Sequence, residues 1–380
     1  PGRRFSIPRC YNPPAETLDG WLQSPALKNL QELEFCYDFP FHDISLPLPL
    51  RASVHNFSST LRVASFGGCS GFPDGNSAGM LHLPVLKQLS LLYVTISNSS
   101  MQTLFDGCPV IESLLINCPK GCSCVQVVSH SLRSLGLRRG SGVLRLKQLI
   151  IKDAPNLQRL LLLVLTYVDV EIDISLISAP KLEILGQITD TFPRIQFAAT
   201  FFQGSQQLSS MMVVPNVKVL ALTNGHLNLD MVINFMRCFP CLETLYIKIM
   251  MIGNTTNSWC RKYRNLISTL DIHLKKIVLL NYRGNRSHVN FAKFFVLNAK
   301  VLQLMILELQ DRNTSSEWIE RQHRLIKTNN RASIGARFDF VYHDRLTYPF
   351  GHVCTKALCW FARQYYVGGV NGCDTDSFVC

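Results

Sequence analysis

The feature that most constrains this chain is a pattern of apolar residues that occurs at residues 86–112 and again, with the same spacing, at residues 217–243. Both stretches open with three apolar residues in the arrangement apolar-x-x-Leu-x-Leu, which indicates a short β-strand with one buried face. Each continues with apolar residues three and four positions apart, as in an amphipathic helix. Each then reaches a proline, Pro109 or Pro240, which ends the helix. The pattern therefore predicts a strand followed by a helix.

The strand pattern recurs about eleven times, and its commonest spacing is about 25 residues. Its first apolar positions are Leu30, Leu61, Leu86, Ile111, Leu132, Leu157, Leu182, Val217, Leu242, Leu274 and Leu302. A proline precedes several of them at the same distance, which a chance periodicity would not maintain. A period of roughly 20–29 residues is typical of leucine-rich repeats. We therefore predict an α/β leucine-rich-repeat solenoid, with a curved parallel β-sheet on the concave side and helices and irregular segments on the convex side.

Composition limits the kinds of partner. The chain has 380 residues and a formal net charge of +12, but its Lys and Arg are spread along the chain, so no nucleic-acid partner is expected. No apolar run approaches the roughly 20 residues that a membrane-spanning helix needs, so no membrane partner is expected either. The 14 cysteines come without a secretory signal and indicate reduced thiols, which favours the cytoplasm, the nucleus or both.

Three short motifs could carry chemistry, and each has a simpler interpretation. Residues 118–124 hold three cysteines, but a zinc site would need a fourth ligand in paired spacing. Residues 238–241 form a C-x-x-C motif that coincides with the turn of a repeat. Residues 169–173 place three carboxylates on one side of a strand, as either a cation site or a solvated face would. We favour the structural interpretation of each, and expect no catalytic residues, no metal, no cofactor and no enzymatic activity.

Two stretches carry a resemblance to a known family. The sequence LPVLKQLSL at residues 83–91, followed by LFDGCPVIESL at residues 104–114, resembles the plant F-box/leucine-rich-repeat proteins. The sequence FFVLNA at residues 294–299, within a stretch from about residue 271 to residue 342, resembles the FBD region that often follows those repeats. The resemblance implies a non-catalytic substrate-recognition subunit of a cullin-type (SCF) E3 ubiquitin ligase, whose repeats bind a target protein.

In that family an N-terminal F-box docks on the ligase adaptor, and we find no F-box within these residues. The adaptor is therefore an expected partner only if an F-box lies upstream of Pro1. The alternative is a stand-alone leucine-rich-repeat scaffold with no ligase linkage. We expect an N-terminal linker or capping segment at residues 1–25, the solenoid at 26–255, the last repeats with an FBD-like cap at 256–345, and an unassigned tail at 346–380.

The residues that alternate with the core leucines of each strand should point to the concave face. Near the middle of the sheet several of them are apolar and are flanked by cations and an aromatic residue, as on a surface that binds a protein or a ligand. These candidates are Leu115, Arg138, Arg159, Leu161, Leu163, Ala221, Tyr246 and Lys248. The other interpretation is that loops or the C-terminal cap cover the leucines.

Overall fold

One parallel sheet of 13 strands runs through this computed structural model from its first strand to its last. The structure describes residues 2–7, 14–36, 48–50, 52–70, 81–117, 119–138, 146–162, 172–189, 194–197, 200–203, 206–207, 213–224, 227, 229–249, 271–309 and 315–342. The predicted tail at residues 346–380 lies outside these residues, as do 163 and 250–270. The bounds of the four predicted segments stay predictions.

Strands supply most of the secondary structure. In chain order they are β1 (Arg4–Ser6), β2 (Glu32–Cys36), β3 (Leu48–Pro49), β4 (Val63–Gly67), β5 (Cys69–Ser70), β6 (Gln88–Leu92), β7 (Ser113–Asn117), β8 (Cys124–Val128), β9 (Ser134–Arg138), β10 (Gln148–Asp153), β11 (Arg159–Leu162), β12 (Asp173–Leu176), β13 (Ile184–Thr189), β14 (Ile195–Phe197), β15 (Thr200–Gln203), β16 (Gln206–Gln207), β17 (Val219–Asn224), β18 (Thr244–Ile249), β19 (Lys276–Tyr282), β20 (Leu304–Leu309) and β21 (Arg337–Tyr342). The large sheet has the order β1-β2-β4-β6-β7-β9-β11-β13-β17-β18-β19-β20-β21. Its strands follow one another in chain order, as in a solenoid.

The described helices are few and short. They are α1 (Ala15–Leu22), α2 (Asn98–Gly107), α3 (Leu229–Cys238), α4 (Arg286–Asn298) and α5 (Ser316–Ile326), with 3₁₀ turns at Pro25–Leu27, Ala52–Phe57 and Thr328–Asn330. Side-chain caps fix where helices begin: the Ser97 hydroxyl accepts from the Ser100 N–H at 3.0 Å, and the Asn285 side chain accepts from the His288 N–H at 2.9 Å. None of the described helices is long and apolar enough to cross a membrane.

The repeat pattern sets the register of the large sheet. One column of paired residues runs through the successive strands and is no more than 1 % exposed. Its members are Leu89, Leu114, Leu135, Leu160, Leu185, Leu220, Leu245, Ile277 and Met305. Since all of them belong to one apolar cluster, the core is continuous along the solenoid. The leucine-rich-repeat fold and its curved parallel sheet are confirmed.

The convex side of the central repeats differs from the expectation of helices and irregular segments. There the connecting segments form a second sheet of six strands, in the order β8-β10-β12-β14-β15-β16. Val125, Val127, Leu149 and Ile151 on its first two strands are 0 % exposed and belong to the same core as the large sheet. Alternation of buried and exposed residues along these segments favours strands over helices.

Candidate functional site

The concave face of the large sheet carries the side chains that alternate with the core residues. Strand register places Leu115 beside Ser90 on one neighbouring strand and Gly136 on the other. Leu161 follows beside Gly136, and Ala221 lies beside Tyr246 further along the sheet. Residues predicted to share a face from the sequence alternation therefore do share one.

An apolar cluster forms on this face, separate from the main core. We call it the concave floor. It consists of Leu92, Leu115, Leu161 and Ala221, each 2 % exposed, with the partly exposed Tyr93, Ile184 and Tyr246 packed against it. Three of the candidates, Leu115, Leu161 and Ala221, are thus brought together but offer little accessible area themselves. The exposed contact area lies with the residues around them.

A second apolar cluster continues the floor toward the C-terminal end of the sheet, and the sequence reasoning missed it. It consists of Val278, Leu280 and Ile306, with Tyr246, Leu304 and Val341 packed against it. Tyr246 contacts both clusters, so one apolar stripe extends from β6 to β21. The sequence contained the information for this cluster, because β19 and β20 repeat the strand pattern and carry apolar residues, Val278 and Ile306, between its core positions.

The remaining candidates lie around the floor. Arg159 begins β11 beside Ser134, and Lys248 lies on β18 beside Thr223; both side chains are partly exposed. Arg138 ends β9 at the register position of Asn117, and the structure does not describe its side chain. Leu163 lies outside the described residues. That these residues bind a protein stays a prediction.

All charges on the central strands are positive. The strands of the large sheet from β6 to β19 contain Arg138, Arg159, Lys248 and Lys276 but no Asp or Glu. Lys276, which the sequence reasoning did not select, holds its ammonium group 5.8 Å from the centre of the Tyr246 ring, within reach of a cation–π interaction. Carboxylates return only toward the two ends of the sheet, on strands β2, β20 and β21.

Buried polar atoms lie on the same face. Among the described residues, the side-chain atoms that are buried without a hydrogen-bond partner are Nδ2 and Oδ1 of Asn117, Oγ of Ser134 and Oγ1 of Thr223. All three residues belong to the concave rows of β7, β9 and β17. An unpaired buried polar group costs about 1–3 kcal/mol, so their concentration on one face sets that face apart from the rest of the fold.

Two thiols of the cysteine motifs are buried. Burial raises the pKa of the Cys122 thiol to about 11 and that of the Cys238 thiol to about 12, whereas redox and metal-binding cysteines need a lowered pKa. The Cys122 thiol donates to the Cys124 carbonyl at 3.1 Å, and Cys118 lies outside the described residues. Within the described part of the chain, no group of three or more His, Cys, Asp or Glu could hold a metal ion.

Comparison with known proteins gives two family matches. Residues 18–247 match the family described as "FBD-associated F-box protein At5g56370, LRR repeats", and residues 263–307 match the FBD family. Curated proteins and solved structures gave no match. The two matched families typically provide interaction domains rather than catalytic ones, so this is a protein-interaction module of the F-box protein type. The resemblance seen in the sequence is confirmed, and since the first match covers more than half of the chain, the chain belongs to the leucine-rich-repeat family of FBD-associated F-box proteins.

Proposed function

We propose that this chain is the target-recognition part of an F-box subunit of a cullin-type ubiquitin ligase, and that it binds its target protein through the concave face. The repeats followed by an FBD region, in that order along one chain, support the ligase setting. The observation that carries the choice of face is the apolar stripe from β6 to β21, because it sets partly exposed aromatic side chains, Tyr93 and Tyr246, against an apolar layer along the sheet.

The face has the anatomy of a protein-binding surface. Binding energy at protein interfaces concentrates in a few aromatic and Arg side chains set over a desolvated apolar centre. Here Tyr93 and Tyr246 are the partly exposed aromatic residues packed against the concave floor, and Arg159 lies on the same face of the sheet, between Ser134 and Ile184.

The chain itself performs no chemistry in this proposal. Partner subunits of the ligase transfer ubiquitin, and this chain holds the target near them, which raises the effective concentration of the target at the transfer site. Such a role places the protein in the cytoplasm, the nucleus or both. The six cysteines whose side chains the structure describes are free thiols, as expected in those compartments.

Capture from cells tests the proposal. The full-length protein, with proteasome activity inhibited, should recover the ligase adaptor together with a small set of other proteins. Tyr246→Ala should retain the adaptor but recover at least about 30-fold less of the other proteins, since a hot spot of about 2 kcal/mol corresponds to that factor. The matched control Gln126→Ala lies on the convex sheet and should behave as wild type.

Two outcomes discriminate the alternatives. Targets that depend on Tyr246, recovered without any ligase adaptor, would leave the stand-alone repeat scaffold as the function. If Tyr246→Ala recovers the targets as well as wild type does, and Gln126→Ala loses them, the concave face is not the target-binding surface. Circular dichroism of both variants should show that each remains folded.

A further inference from the structure

Some cations along the large sheet have a carboxylate partner, and others have none among the described residues. Residues just before a strand pair with their neighbours: Lys87 with Glu112 at 2.9 Å, Lys218 with Glu183 at 2.9 Å, and Lys275 with Glu243 at 2.8 Å. These pairs are exposed and individually contribute about 0–1 kcal/mol. The charges of these three lysines are therefore already balanced within the fold.

Two cations that open strands in the middle of the sheet differ from these lysines. Arg159 opens β11 and Lys276 opens β19, both side chains are partly exposed, and neither forms an ion pair within the described residues. The contrast is sharpest between Lys275 and Lys276, which are adjacent in sequence. Lys275 is paired with Glu243, whereas Lys276 stands over the Tyr246 ring.

Strand register puts the two unpaired cations in one row. Arg159 lies beside Ile184, then come Val219, Thr244 and Lys276 on successive strands. The three intervening side chains are all partly exposed. Four inter-strand steps of about 4.8 Å give roughly 19 Å between the ends of this row. An extended chain advances about 3.3 Å per residue and covers that length in about six residues.

We propose that this row, which we call the cationic row (Arg159, Ile184, Val219, Thr244 and Lys276), binds an extended segment of the target protein in which two acidic residues about six positions apart flank apolar ones. The inference rests on the proposed function and adds the chemistry of the target. The carboxylates of the segment pair with the two cations, and its apolar side chains cover Ile184 and Val219. Complementary charge sets register and suppresses wrong partners, and here no carboxylate of the central strands competes for either cation.

Selection of peptides from a random 12-residue display library on the purified full chain tests the inference. Selected peptides should be enriched in pairs of Asp or Glu about six residues apart with apolar residues between them. The affinity of the strongest peptide, measured by calorimetry, should fall about ten-fold or more in Arg159→Glu and in Lys276→Glu. The control Lys275→Glu changes the net charge equally and should alter the affinity less than about two-fold.

The outcomes separate this inference from the proposed function. One contrary result is that the selected peptides depend on Tyr246 and yet carry no acidic pair; another is that they bind both charge-reversal variants as tightly as wild type. Either result would overturn the acidic motif and leave binding by the concave face standing. If no peptide depends on any concave residue, both proposals fall. Displacement of the selected peptide by a single-stranded RNA, polyuridine, that binds more tightly would also overturn the inference, because the row would then be a phosphate site.

Discussion

Two kinds of repeat are joined in one core, and they differ in what lies behind the large sheet. After β6, β17 and β19 the chain forms a helix, namely α2, α3 and α4. After β7, β9, β11 and β13 it forms a strand of the six-stranded sheet. The concave strands pair in register from β6 to β9 and from β17 to β18, with a register shift between Leu185 and Ile188 where β13 pairs with β17. We call the segment behind each strand of the large sheet the backing of that repeat. The backing can be a helix or a strand as long as it supplies an apolar layer, and the concave face does not depend on which of the two is used.

Local sequence explains the difference. The segment of α2 begins with a Ser97 cap, and its buried residues Met101, Leu104 and Phe105 are spaced three and one apart. The segment of β8 alternates instead, with Val125 and Val127 buried and β-branched. Four predictions test how firmly each type of backing is specified, from the largest expected effect to the smallest.

Truncation of a buried ring in a helix-backed repeat should have the largest effect. Phe235 of α3 is 0 % exposed and stacks on Phe239 at 6.0 Å. We expect Phe235→Ala to lower the free energy of unfolding by about 3–5 kcal/mol, because the lost contacts leave a cavity. Chemical denaturation followed by circular dichroism measures this. Ile151→Ala is the matched change behind a strand, at about 2–5 kcal/mol, and a loss below about 1 kcal/mol in either variant would contradict the shared core.

The end of α2 should tolerate no side chain. A Cβ atom on Gly107 would lie 1.8 Å from the Leu81 carbonyl oxygen, and the Gly107 carbonyl accepts from the Leu83 N–H at 2.9 Å. We expect Gly107→Ala to cost about 1–3 kcal/mol or more, through overpacking against backbone. Gly20→Ala in α1 meets nothing within 4 Å and should instead stabilise by about 0.5–1 kcal/mol. Thermal melting of both variants checks the opposite signs.

Acid should weaken a helix-backed repeat through His288. Burial, with a smaller effect of the Arg283 charge, lowers the pKa of His288 to about 4 from its ordinary 6.5. The unfolded chain therefore binds more protons between these values, so the stabilisation is present above pH 6.5 and is lost as the pH falls toward 4. The ring nitrogen Nδ1 accepts from the Arg283 N–H at 3.0 Å, an acceptor that protonation removes.

Unfolding titrations between pH 7 and pH 4 measure this loss. His288→Gln retains an acceptor and should flatten the dependence relative to wild type. Equal slopes in wild type and His288→Gln would show that another group is responsible.

The smallest expected effect is that of a Gln→Val substitution on the free energy of unfolding, and its sign should differ between a helix-backed and a strand-backed repeat. Gln102 lies on the exposed side of α2, and Gln126 lies in the middle of β8. Valine is a poorer helix former, so Gln102→Val should destabilise by about 0.5 kcal/mol. The same change at Gln126 should be neutral or stabilising by up to about 1 kcal/mol, since β-branched residues suit strands. Destabilisation at both positions, in paired denaturation curves, would mean that the backing type is imposed by packing alone.

Much of the fold could be predicted from the sequence because the repeat supplies its own register. The strands of the large sheet, the helices at Met101 and Phe235, and the strand at residues 337–342 all follow from apolar spacing. The six-stranded sheet could not be predicted as easily, because its strands are only a few residues long, and short apolar runs suit strand and helix alike.

The sequence predicts which face of the sheet the candidate side chains point to, but not how exposed they are. Alternation alone places Leu115 and Leu161 on the concave side. Their 2 % exposure depends on contacts between residues distant in sequence, such as those with Ala221 and Tyr246, which no local pattern contains. Tyr93 also packs on the floor, from a left-handed backbone conformation with φ of 55° that a tyrosine rarely adopts.

The most direct test of the account compares the two faces of the sheet in the full-length protein inside cells. A photo-reactive amino acid placed at Tyr246 reports on the concave face, and one placed at Gln126 reports on the convex sheet. We expect Tyr246 to cross-link to a discrete target protein and Gln126 to give no such product. Cross-linking of that target from Gln126 and not from Tyr246 would contradict the claim that the concave face recognises the target.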